Sequence, residues 1–152
     1  MNVRVWQLVS IFLSALVTGV FWGPWLGLSR SIKTFKPDVF LAIGHRFIRN
    51  LAPVMPLLMP AAILSIVPVL VISFHERPRT FYFTLAGFAL FSIALLVTLI
   101  VEVPIDNRIK SWTVATLPQD WQQLRDRWET FHIVRTMASV AGLFLLLAGA
   151  IL

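Results

Sequence analysis

Trp121, Arg125, Trp128, His132 and Arg135 follow one another at intervals of four, three, four and three residues. That spacing sets them along one stripe of an α-helix. Arg135 falls inside an apolar run, where an ionisable group is costly and normally faces a partner or a wet cavity. Glu102, near the end of another apolar run with no other charge, is the expected partner. An imidazole can take and return a proton near neutral pH, and a guanidinium can stabilise a developing anion. Glu102, His132 and Arg135 are therefore the expected catalytic group, forming the floor of a pocket roofed by Trp112, Trp121, Trp128 and the segment that carries His45. The same Glu–Arg pair could instead serve only to fix helix register.

The elements that must position these groups are four apolar runs, 5–28, 54–74, 81–103 and 133–152. Each supplies about 20 residues, enough to cross ~30 Å of hydrocarbon as helix. The chain is 58% hydrophobic with mean hydropathy +0.82, and only 13% of it is charged, against about 25% in a soluble domain. The fold expected is all-α: a single four-helix integral membrane bundle over 1–152. The first run is too long and too rich in tryptophan for a signal-peptide centre and reads as a retained span. Cysteine is absent, which excludes disulfides, thiolate nucleophiles and Cys-ligated metal.

Four spans put both termini on one side and the longer connections, 29–53 and 104–131, together on the other. Nine Lys and Arg residues lie in those connections, while Arg4, Arg77 and Arg79 lie opposite. The positive-inside rule then places the connections in the cytoplasm of an inner or plasma membrane. The net charge of +6 is dispersed around the spans, favouring anionic lipid head groups over nucleic acid.

The first connection predicts a short interfacial helix. Asp38 suits its N-terminus, and Phe40, Ile43, Phe47 and Leu51 give it an apolar face opposite Arg46, Arg49 and Asn50. His45 flanks that face and could turn toward the bundle. Pro53, Pro56, Pro60 and Pro68 predict a bent second span. Thr116 and Gln119 have capping-box spacing, with Pro118 and Asp120 suited to a first turn. An extended fourth helix, from about residue 117, is expected to reach beyond the hydrocarbon.

Glu102-Val-Pro-Ile-Asp-Asn107-Arg-Ile, then Trp112, Leu117-Pro-x-Asp-Trp121 and Arg125-x-Arg127-Trp128-x-x-x-His132-x-x-Arg135 resemble the anthrone oxygenase-like family of small four-helix membrane proteins. The resemblance covers the span layout of the whole chain, and its motif lies within 101–135. It implies oxygenation of a small lipophilic aromatic, anthrone or phenol-like, and carries over Asn107, Trp121, Arg125, Trp128, His132 and Arg135 as motif positions without assigned roles. In such a reaction the substrate loses an acidic proton and the resulting anion reacts with dioxygen. His132 is the natural base, Arg135 or Arg125 the anion partner, and Glu102 the residue that orients or balances them. His45, Asn107, Trp112, Trp121, Arg125 and Trp128 are the expected substrate contacts.

The sequence names no cofactor. A haem- or copper-binding redox protein with His45, His132 and Glu102 as ligands is one alternative. Another is a non-enzymatic protein that binds a lipid, a small lipophile or a partner at its basic, aromatic mouth. Drug–proton exchange is disfavoured, since the first span holds no ionisable group between Val5 and Ser29.

Overall fold

The computed structural model describes residues 2–152. The order is helix α1 (Val3–Gly27), a 3₁₀ turn (Ser29–Thr34), α2 (Pro37–Leu51), α3 (Met55–Glu76), α4 (Pro78–Val97), a π turn (Thr98–Glu102), α5 (Val103–Ile109) and α6 (Trp121–Ile151). Among the described residues, four helical segments are long and apolar enough to cross a membrane: Val3–Thr34, Met55–Glu76, Pro78–Ile109 and Trp121–Ile151. The protein is a multi-pass integral membrane bundle, all-helical as its sequence predicts. The spanning helices pack in a ring, α1 against α3 and α6, and α4 against α3 and α6.

The burial pattern suits a bilayer. Leu8, Leu57, Leu64, Val71 and Phe144 are exposed, forming an apolar surface far larger than a soluble protein tolerates. The interior instead holds small and hydroxyl-bearing residues, among them Ser10, Ser14, Thr18, Thr136 and Ser139. Small residues let membrane helices approach closely, and apart from Ser14 these hydroxyls donate to backbone carbonyls. Thr136 donates to the His132 carbonyl at 2.6 Å and Ser139 to the Thr136 carbonyl at 2.8 Å. Where α4 crosses α6, a Cβ on Gly142 would lie 3.0 Å from the Phe91 ring, and one on Gly87 would lie 3.0 Å from the Gly142 carbonyl. A side chain at either position would require its neighbours across the crossing to give way.

Two apolar clusters organise the molecule. One, built on Val17, Phe21, Met59, Ile66, Phe91 and Leu146, fills the bundle. The other, built on Ile32, Phe40, Leu41, Ile105, Ile109 and Trp112, seats α2 and the 3₁₀ turn over one end of it. Helix α2 starts at Pro37 with Asp38 in its first turn, as expected. His45 Nε2 pairs with the Ile109 carbonyl at 2.8 Å, which ties α2 to α5.

Two local details differ from the sequence reading. The third span does not end at residue 103: its helix runs through the π turn to Ile109, because the wider turn absorbs Pro104 at the start of α5, where a missing N–H costs little. The capping box does not form. Thr116 instead exchanges hydrogen bonds with Thr113 at 2.9–3.2 Å, and α6 begins at Trp121 after Asp120. As expected, the second span keeps Pro60 and Pro68 within its helix, α3.

Candidate functional site

Under α2 lies a cavity of about 520 Å³, within the 300–1,000 Å³ range usual for small-molecule sites. Its walls are mostly apolar: Phe21, Pro24 and Leu28 from α1, Phe40, Ile43 and Phe47 from α2, and Met55, Pro56 and Met59 from α3. Polar groups arrive largely from two elements. The α4–α5 segment brings Thr98, Asp106, Asn107 and Lys110, and α6 brings Trp128, His132 and Arg135.

Arg135 is the hub of that polar wall. Its Nη2 stands 3.0 Å from Glu102 Oε2, realising the ion pair expected from sequence. Glu102 is wholly buried, and neither of its oxygens meets hydrogen-bond geometry. From the other side Arg135 Nε and Nη2 approach His132 Nδ1 at 3.2 and 3.0 Å, and Nη1 donates to Thr98 Oγ1 at 3.4 Å. The guanidinium lies 4.6 Å over the Phe21 ring, a cation–π contact. A guanidinium has five N–H bonds. Three of them are directed at His132 and Thr98 and a fourth belongs to the nitrogen ion-paired with Glu102, which leaves one N–H on Nη1.

His132 is clamped by its neighbours. The Trp128 indole stacks on it at 5.2 Å with planes 1° apart, and the Phe21 ring meets it edge-on at 6.4 Å. Two guanidinium donors aimed at Nδ1 require that nitrogen to present its lone pair, so the neutral ring carries its proton on Nε2. The Phe21 backbone lies beside the imidazole, but no group meets hydrogen-bond geometry with the buried Nε2. Stacking on the imidazole also aims the Trp128 indole N–H, which donates to Asp106 Oδ1 at 3.1 Å.

The structure thus brings together His132, Arg135, Trp128 and Asn107 on the cavity wall, with Glu102 behind Arg135. The other sequence-predicted contacts lie outside the lining. His45 is occupied by the Ile109 carbonyl. Trp112 is buried in the cluster under α2. Trp121 packs on Phe40 with ring centres 5.5 Å apart, and Arg125 pairs with Asp126 at 2.8 Å while stacking 5.2 Å over Trp121. The five-residue stripe is real, but α6 outruns the cavity and its first turns face α2 instead. Asp106 and Thr98 were missed. Their spacing of four on either side of Glu102 was the available signal, hidden by reading the segment after residue 103 as a loop.

Among the described residues, no three His, Asp or Glu side chains gather as a metal site requires. His45, His132 and Glu102 are not gathered into one three-ligand set.

Fold and site define a four-helix integral membrane protein with a capped, mostly apolar cavity and one charged wall. The anthrone oxygenase family model matches residues 45–145, about two thirds of the 152-residue chain, and the chain belongs to that family. No curated protein and no solved structure matches it.

Proposed function

We propose that the protein oxygenates a flat, lipophilic phenol- or anthrone-like compound with dioxygen inside this cavity. One observation carries the reading: a cavity of about 520 Å³, apolar on most sides, is faced by a fixed guanidinium with one N–H to spare. Such a site favours a ring system whose oxygen becomes anionic during reaction. Deprotonation leaves an enolate or phenolate, and its negative oxygen pairs with Arg135 in a water-poor setting where the interaction is strong. The electron-rich ring then reacts with dioxygen. Glu102 balances the guanidinium charge when no ligand is bound, and His132 fixes its direction. Phe21 and Trp128 supply aromatic surface for the ring. In this reading both longer connections, and the cavity they cover, face the cytoplasm.

The test is turnover. Purified protein in lipid or detergent is given an anthrone under air, and dioxygen uptake and the quinone product are followed. Arg135→Gln is expected to slow product formation about 10²–10³-fold, the usual loss for an anion-stabilising donor. Binding without oxygen uptake supports instead a non-enzymatic lipophile-binding protein, which the same apolar walls would serve. Absence of both binding and uptake refutes the reading.

A further inference from the structure

We propose that Asp106 is the base that deprotonates the substrate in this cavity, an assignment that rests on the oxygenation of a phenol- or anthrone-like compound argued above. Three other groups could take a proton, and geometry disqualifies each. His132 turns its lone pair to Arg135, whose Nε and Nη2 stand 3.2 and 3.0 Å from Nδ1. Taking a proton there would require expelling two cationic donors and placing a second positive charge against the first. Glu102 is wholly buried, lies outside the cavity lining and holds Arg135 from behind at 3.0 Å. His45 is outside the lining and engaged by the Ile109 carbonyl.

Asp106 has what a base needs. Among the described residues it is the only carboxylate lining the cavity, and it has no cation within ion-pair distance. Its Oδ1 accepts from the Trp128 indole at 3.1 Å, which fixes the carboxylate plane, while no side chain among the described residues donates to Oδ2. Placement comes before basicity in choosing a general base, and a well-placed one contributes about 10²–10⁴-fold. Trp128, stacked on His132 and bonded to Asp106, is the positioning residue that couples the two walls.

The chemistry balances with dioxygen as the only co-reactant. Asp106 removes a proton from the CH₂ group opposite the ring carbonyl. The C–H bond breaks, its electron pair enters the ring as an enolate, and the new O–H bond sits on the carboxyl. The anion passes an electron to dioxygen and the radical pair couples, forming a C–O bond to a peroxide anion, which takes the proton back from Asp106. Asp106 then removes the second C–H proton while the O–O bond breaks, leaving a carbonyl and hydroxide. That hydroxide and the proton on Asp106 make water, so one CH₂ and one dioxygen become one C=O and one water.

Without dioxygen, only the first step and its reverse remain, and in heavy water they exchange the substrate's acidic C–H for deuterium. Wild-type protein with anthrone, anaerobic in D₂O, is expected to speed deuterium uptake above the protein-free rate, read by mass spectrometry. Asp106→Asn, which keeps an oxygen for Trp128 to bind, is expected to bind anthrone with the same affinity but lose that acceleration about 10²–10⁴-fold. Asp106→Ser, read in the same way, replaces it should the asparagine variant not fold. Exchange as fast in the variant as in wild type overturns the assignment, as does wild-type binding without exchange. Loss of exchange in His132→Gln but not in Asp106→Asn gives the role to the imidazole. Failure of wild type to bind anthrone at all overturns the functional reading itself, a result distinct from each of these.

Discussion

Arg135 decides which nitrogen of His132 holds the proton. Nε and Nη2 of the guanidinium both point at Nδ1, at 3.2 and 3.0 Å, and a donor cannot be met by another donor. In ¹⁵N-histidine spectra His132 is expected as a single neutral tautomer protonated on Nε2. In Arg135→Leu the constraint is gone, and the Nδ1-protonated form appears beside it. A wild-type signal from an Nδ1–H ring contradicts the geometry.

Glu102 and Arg135 stabilise one another only as a pair. Removing one partner from a buried ion pair leaves an uncompensated charge and costs about 3–5 kcal/mol. Glu102→Leu is therefore expected to lower the unfolding free energy in micelles by that amount. The double variant Glu102→Leu/Arg135→Leu recovers most of it while abolishing turnover. A double variant as unstable as the single one means that the pair does not act as a unit.

That pair was legible in the sequence because charges inside apolar runs are few and each must find a partner. The bundle and the surface helix were legible too, from run length and from the apolar face of Phe40, Ile43, Phe47 and Leu51. Less visible was which part of the α6 stripe faces the cavity. Spacing shows that Trp121, Arg125, Trp128, His132 and Arg135 share a side, but the neighbour changes along 31 residues, from α2 at the start to the cavity deeper in. Asp106 escaped notice because Pro-Ile-Asp-Asn reads locally as a turn, and nothing in the local sequence signals a π turn that carries the helix past it.

His45 is expected to act through stability rather than substrate contact. His45→Phe removes the 2.8 Å contact to the Ile109 carbonyl, a loss of about 1–1.5 kcal/mol for a partly buried hydrogen bond. Amide hydrogen exchange in α2 should then quicken about tenfold, since 1.4 kcal/mol is a factor of ten. Unchanged protection across Pro37–Leu51 argues against the tie.

The α4–α6 crossing offers a packing test free of chemistry. Gly142→Val drives side-chain atoms into Phe91, already 3.0 Å from an added Cβ, and overpacking of this kind costs about 1–3 kcal/mol. Gly19→Ala is the control. Its Cβ meets nothing within 4 Å, and helix propensity alone favours alanine by about 0.5–1 kcal/mol. Equal melting shifts in the two variants would remove the case for a glycine-dependent contact.

The π turn at Thr98–Glu102 amounts to a one-residue insertion in an otherwise regular rod. Each residue of α-helix turns the chain by about 100°, so trimming that insertion would rotate everything after it by roughly a quarter turn. Asp106 would swing away from the chamber toward lipid or the neighbouring helix, with its own sequence context intact. A lineage could thus lose or regain the acidic wall by a single-codon deletion or duplication at a distance, without touching any residue that meets the ligand.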